Sequence, residues 1–238
     1  YQLGWPGYGV VFAGAALALI TRDPWSIAAM AAIAVLLPTL MIFRMEISAE
    51  SFAKWVATLA AGAYIAFPVF AAVAMRRAAG DLEVGWADGV GEAFSMGETS
   101  TALGMAWTVL AILTTWLADT FALFVGRAFG RTPLIPHISP KKTLEGAIGG
   151  FLGGVAAVVV LTLLLGIPDI SMPLAIGIGA LLAAVGICGD LMESFIKRSA
   201  GVKDSGTLIP GHGGIFDRVD ALLPTFLVAW VLLHAISA

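Results

Sequence analysis

Long apolar stretches, broken by very few charges, constrain this chain more than any motif does. Runs at 25–43, 52–75, 101–125, 144–165, 172–189 and 219–236 each approach the length of a membrane-crossing helix, which needs about 20 mainly apolar residues. A shorter run at 8–20 reads as a further span that has lost its beginning. Only 12% of the 238 residues are charged, against about 25% in a soluble domain, so the chain has too little polar surface to cover a globule in water. Lipid is the solvent that such a composition fits. The expected fold class is all-α: a polytopic integral membrane protein of about seven transmembrane helices, or more if others precede Tyr1. The 28 glycines agree, because small residues let membrane helices approach closely.

The connections are uneven. Asp23-Pro24, Gly166-Ile167-Pro168 and Ser171-Met172-Pro173 mark tight turns. The segment 76–100 is rich in Gly, Asp and Glu and reads as loop, with at most a short surface helix around 82–94. Segments 127–143 and 197–216 are polar and dense in Lys, Arg, Gly and Pro. With seven spans these two loops share one side with the segment after span two, which collects 10 of the 13 Lys and Arg; only Arg22, Arg76 and Arg77 fall opposite. The positive-inside rule then makes the loop-rich side cytoplasmic. No basic stretch followed by a cleavage site opens the chain, so no signal peptide is expected. Net charge is −3 and no basic domain stands out, so nucleic acid is not an expected partner. Cys188, in an apolar run, reads as a small core residue.

Chemistry concentrates between Gly189 and Asp220. Asp190, Glu193 and Lys197 are spaced i, i+3, i+7 and share one helix face. Asp217 and Asp220 are again three apart, at the mouth of the last span. Charges at membrane depth are costly and face a protein interior or a wet cavity. Carboxylates gathered there would repel unless a cation lay among them, and magnesium suits an all-oxygen set that leaves positions for phosphate. Between them fall Lys197, Arg198, Lys203 and His212, with five glycines that allow main-chain N–H groups to approach an anion. Carboxylates, cations and glycines together point to phosphoryl or nucleotidyl transfer.

The run Ser194-Phe195-Ile196-Lys197-Arg198, then Lys203-Asp204, Pro210-Gly211-His212-Gly213-Gly214 and Asp217-Arg218-Val219-Asp220 resembles the signature of the phosphatidate cytidylyltransferase family, without departure at its fixed positions. A block upstream is similar to a second family region: Asp119-Thr120, Ala122, Gly126-Arg127, Gly130, Ser139-Pro140-Lys141-Lys142-Thr143 and Glu145-Gly146, with Leu123 where tyrosine is expected. The likeness runs from Trp116 onward; the earlier spans match only in character.

The resemblance implies that phosphatidic acid attacks the α-phosphorus of CTP, giving CDP-diacylglycerol and pyrophosphate. On that footing Asp190, Asp217 and Asp220 are expected to hold Mg2+, with a second cation of unknown identity left open. Glu193 is weighed evenly as ligand or support. Lys197, Arg198 and Lys203 would grip triphosphate or lipid phosphate, and Arg218 could serve either. Ser139, Lys141, Lys142 and Thr143 would form an anion-binding helix start, joined in substrate binding by Glu145, Asp204, Gly213 and Gly214. Asp119 and Arg127, eight apart, pair or join the site. His212 receives a binding role, since an ionised phosphate monoester needs no strong base. Residues 1–238 form one transmembrane domain, with N-terminal spans in 1–100 and the catalytic half in 101–238. The implied partners are CTP, phosphatidic acid and membrane lipid, with a homodimer left open. The implied location is a bacterial inner membrane, its polar cavity facing the cytoplasm.

Blander readings compete. Juxtamembrane lysines such as Lys141 and Lys142 commonly anchor topology, and the aspartates could form a structural network with Lys197 and Arg218. A transporter would show repeated spans and midplane charges, but the charges here gather at one face. A transferase acting on CDP-linked lipids would carry D-G-x2-A-R, and Asp88-Gly89 is not followed by Ala-Arg. No P-loop pattern is present.

Overall fold

The computed structural model describes residues 9, 13, 16, 29, 32–33, 35–36, 38–40, 43, 45–95, 99–202, 205, 214 and 216–237. The spans read at 8–20 and 25–43 lie mostly outside these residues, as do Lys203, Asp204, His212 and Gly213. Two compact units divide the chain, residues 1–74 and 75–238. Helix α1 (Ala49–Arg76) makes up most of the described first unit and ends in the second. Its start is capped by Ser48, whose Oγ accepts from Ser51 N at 3.0 Å.

The second unit continues with α2 (Gly85–Ala93), α3 (Ala102–Phe129), a hairpin of β1 (Pro133–Ile135) and β2 (Ser139–Thr143), α4 (Leu144–Leu165), α5 (Met172–Ser199), α6 (Phe216–Val219) and α7 (Leu222–Ile236). Helices α1, α3, α4 and α5 are long and apolar enough to cross a membrane, so four of the expected spans stand among the described residues. Helix α7 is apolar but has only 15 residues, a rise of about 22 Å against a hydrocarbon core of about 30 Å. Helix α5 has 28 residues and rises about 42 Å. Its first 18 residues, up to Gly189, nearly span that core, which leaves the charged turns from Asp190 onward at the membrane's edge.

Helix α3 packs along α4, α4 along α5, and α7 against both α5 and α3. Trp107 and Leu110 of α3, Val158 of α4, Ile178 and Leu182 of α5 and Leu233 of α7 meet in one buried core. The α3–α4 contact depends on missing side chains: a methyl group at Gly150 would lie 2.9 Å from both Ala118 O and Ala122 Cβ. Gly166 ends α4 in the left-handed conformation, φ 60°.

Three expectations are corrected. The 76–100 segment, read as loop, folds at its centre into α2. Asp88 Oδ1 accepts from Leu82 N at 2.8 Å, which ties the helix to the chain leading into it, and Ala87 and Gly91 are buried, so this tie and packing override a helix-poor composition. The fold is mostly helical, as expected, but the polar 127–143 segment, read as loop, carries a two-stranded hairpin. Cys188 is exposed rather than in the core. The buried face of α5 is centred on Gly186 and Glu193, and Cys188 lies opposite it.

Candidate active site

The spacing of Asp190, Glu193 and Lys197 does put them on one face of α5, and the chain after α6 brings Asp220 to meet it. Gly189 permits this approach: a side chain there would strike Pro224 and the main chain of Asp220 and Ala221. One carboxylate oxygen each from Asp190, Glu193 and Asp220 then lie within 4.8 Å of one another. Glu193 is only 2% exposed. Its Oε1 lies 2.7 Å from Lys197 Nζ as an ion pair, without the alignment of a hydrogen bond.

Lys197 Nζ also donates to Asp217 Oδ1 at 2.8 Å. The other oxygen, Asp217 Oδ2, accepts from Ser205 N at 2.9 Å, Ser205 Oγ at 2.7 Å and Gly214 N at 2.8 Å. Asp217 thus gathers both ends of the 205–214 segment onto the charged end of α5. Burial works to raise its carboxyl, but the bonds from Lys197, Ser205 and Gly214 outweigh it and hold the group well below the carboxylate range. Asp220 moves the other way. Burial pushes its carboxyl up, the Ala221 N–H opposes this, and the charge on Asp190 adds to the rise. An Asp220 that resists ionisation beside two more carboxylates is a group that a cation would relieve.

A cavity of about 600 Å³ opens beside this cluster. Its charged lining is Asp119, Arg127, Lys141, Lys142 and Asp190, and its apolar lining includes Ala118, Leu123, Leu134, Leu182 and Ile187. Asp190 therefore belongs to both cavity and cluster. Lys142 Nζ pairs with Asp190 Oδ2 at 2.5 Å, which links the hairpin to α5. Thr143 begins α4, its Oγ1 accepting from Gly146 N at 3.2 Å. Asp119 lies within electrostatic reach of Asp190, Asp220 and Lys142.

The expected residues thus fall into two adjoining groups. Asp190, Glu193, Lys197, Asp217, Asp220 and Gly214 form the first. Asp119, Arg127, Lys141, Lys142 and Thr143 line the cavity with Asp190. Ser139 pairs with Ile135 in the hairpin and is not among the lining residues. Glu145 is committed to holding that hairpin, accepting from Arg131 N at 3.1 Å and from Thr132 Oγ1 at 2.8 Å. Arg198 donates to Val202 O at 3.2 Å, and Arg218 is an exposed residue of α6. Ser205 is a site residue that sequence reasoning passed over; a serine beside a signature aspartate was its only signal. Ala118 was also passed over, although its i+4 spacing with the signature residues Ala122 and Gly126 marks one helix face.

Residues 3–236 match the cytidylyltransferase family. Over 138 residues the chain is 50% identical to phosphatidate cytidylyltransferase 5, chloroplastic, of Arabidopsis thaliana, a stretch that covers 55% of this chain and 34% of that protein. It is 44% identical over 133 residues to the phosphatidate cytidylyltransferase of Thermotoga maritima, covering 54% of this chain and 49% of the relative. The corresponding enzyme of Aquifex aeolicus is 40% identical over 129 residues, covering 54% and 48%. The matched stretches span between a third and a half of these relatives' length.

Proposed function

The chain belongs to the cytidylyltransferase family, and from that membership we propose that it transfers a cytidylyl group from CTP to phosphatidic acid. A phosphate oxygen of phosphatidic acid forms a bond to the α-phosphorus of CTP. The bond to the β-phosphate oxygen breaks, and pyrophosphate leaves. The names carried by the relatives support this substrate pair. The observation that carries it in the chain itself is the union of a carboxylate cluster with a lysine-lined cavity through Asp190.

The donor set fits a hard divalent cation: three carboxylate oxygens converge, one of them on a buried Glu193 whose Oε1 takes no hydrogen bond. We assign Asp190, Asp217 and Asp220 to magnesium, with Glu193 as a fourth donor and room for a second cation. When bound, the ion supplies charge neutralisation to the CTP phosphates. Asp217 can join only through Oδ1, which requires Lys197 to turn toward Glu193 or a phosphate.

The chain's own groups do the rest by position and charge. Lys197, Arg198 and Lys203 hold phosphate oxygens, with Arg218 beside them. Lys141, Lys142 and the Thr143-capped start of α4 face the same charge from across the cavity. Asp204, His212, Gly213 and Gly214 wrap the nucleotide. Asp119 and Arg127 orient substrate at the cavity wall. An ionised phosphate nucleophile requires no base. The bias of Lys and Arg toward one face supports a cytoplasmic site in a bacterial inner membrane.

The test is magnesium-dependent conversion of labelled CTP into a lipid by purified protein supplied with phosphatidic acid. Labelled lipid and pyrophosphate should appear, and both chelation and Asp217→Asn should abolish them. Well-folded protein that forms no product would overturn the assignment.

A further inference from the structure

We propose that Lys142 is a built-in counterion of the carboxylate cluster, which gives up Asp190 to a divalent cation and passes its ammonium group to the nucleotide phosphates. The inference rests on the reading above and deepens it, because it adds a coupling through the protein to the direct attraction between cation and triphosphate.

The geometry of Lys142 is unusual for a surface lysine. Its Nζ is shielded from solvent and makes no aligned hydrogen bond, yet it lies 2.5 Å from Asp190 Oδ2. Asp220 and Asp119 also lie within its electrostatic reach. A single ammonium thus faces three carboxylates. One positive charge cannot neutralise them, whereas a divalent cation bound by the converged oxygens would do so more completely. The pairing is therefore one that a stronger cation can displace.

Its placement also suits release. Lys142 belongs to β2, one residue before the cap of α4, whereas Asp190 belongs to α5. Letting go breaks a contact between elements but leaves both elements intact. The lysine stem is flexible and its head a point charge without the fixed fork of arginine, so the ammonium can move within the cavity that it already lines. Lys197 is less free, being held by Glu193 and Asp217 together. Once a cation holds Asp190, the Lys142 ammonium is left shielded from water and without its partner. A triphosphate in the cavity supplies the missing anion. Cation and nucleotide then favour each other's binding, and by linkage the coupling is equal in both directions.

The probe is Mn2+ alone, its unbound fraction read by electron paramagnetic resonance, on the full chain in detergent with and without CTP. A neighbouring opposite charge changes a carboxylate's cation affinity by tenfold or more. Lys142→Met should therefore bind Mn2+ about tenfold more tightly than wild type without CTP, and, once Mn2+ chelated by CTP in a protein-free sample is subtracted, CTP should tighten the variant less than it tightens wild type. Lys142→Arg, which keeps the charge, should stay near wild type. Lys142→Gln gives a second neutral side chain should the methionine variant fail to fold. Neutral variants that bind Mn2+ no tighter than wild type overturn the counterion role while leaving the cation site standing. Wild-type protein that binds no Mn2+ overturns the site itself, and this inference with it.

Discussion

Lys197 and Asp217 are 20 residues apart in sequence and 2.8 Å apart in space, and their contact fastens α6 to the charged end of α5. Because the partner oxygen of Asp217 collects three more donors from Ser205 and Gly214, this one carboxylate holds both of those residues to the charged end of α5.

Asp217→Asn should therefore loosen Ser205 and Gly214 as well as weaken any cation site. An amide turns an N–H toward donors; the exposed Ser205 groups can turn to water, whereas the buried Gly214 N–H left unsatisfied costs about 1–3 kcal/mol. At least a hundredfold loss of kcat/KM is expected, together with faster amide exchange at Ser205 and Gly214. Exchange at the wild-type rate would show that Ser205 and Gly214 are held by something else.

The two aspartates of the DRVD run should respond to pH in opposite senses. Asp217, held below its unfolded value, contributes stability that is complete above about pH 4 and is lost as pH falls toward its folded value. Asp220, held above it, favours the folded state only while protonated, and that contribution declines as pH rises from about 4 through its folded value. At neutral pH without metal, Asp220→Asn should raise the apparent Tm, since it removes a charge from a repelling cluster. Added magnesium, which should stabilise wild type, should then do much less. A fall in metal-free Tm would contradict the repulsion argument.

Gly150→Ala inserts a methyl group 2.9 Å from Ala118 O and Ala122 Cβ. Overpacking of this kind costs about 1–3 kcal/mol and should lower the apparent Tm. Gly177→Ala, on α5 with nothing within 4 Å of the new atom, should be neutral or slightly stabilising, because alanine is the better helix former. Equal effects of the two substitutions would mean that the α3–α4 approach is not tight.

Glu145→Ala removes the acceptor that holds the hairpin at Arg131 and Thr132. The freed N–H groups can turn to water, so stability should change little. Lys141 and Lys142, carried on that hairpin, lose their fixed position. The apparent KM for CTP should rise roughly fivefold, equivalent to about 1 kcal/mol, with kcat less affected. A selective loss of kcat would instead place Glu145 in contact with the reacting groups.

The apolar runs located α1, α3, α4 and α5 well, because lipid demands long uncharged helices and tolerates little else. Their charged ends were harder to read. Helix α5 continues to Ser199, ten residues past the apolar run, since a helix need not stop where lipid does. The hairpin has no alternating pattern, and its base is tied by Glu145, which reaches back 14 residues to Arg131. Within the site, the i, i+3, i+7 spacing was legible for Asp190, Glu193 and Lys197. It could not reveal that Glu193 would be far more buried than Asp190, because that depends on how α7 crosses α5.

Four glycines, Gly126, Gly146, Gly150 and Gly186, line the cavity, so much of its wall is bare main chain. Main chain inside a helix has no rotamers to change. A substrate entering there meets a surface with little capacity to adapt, and the shape is preorganised before anything binds. Adjustment to different ligands must then come from the larger side chains in the lining, the charged Arg127, Lys141 and Lys142 for phosphate and the apolar Leu123, Leu134, Leu182 and Ile187 for shape, and evolution or an engineer seeking altered selectivity would have to work through those.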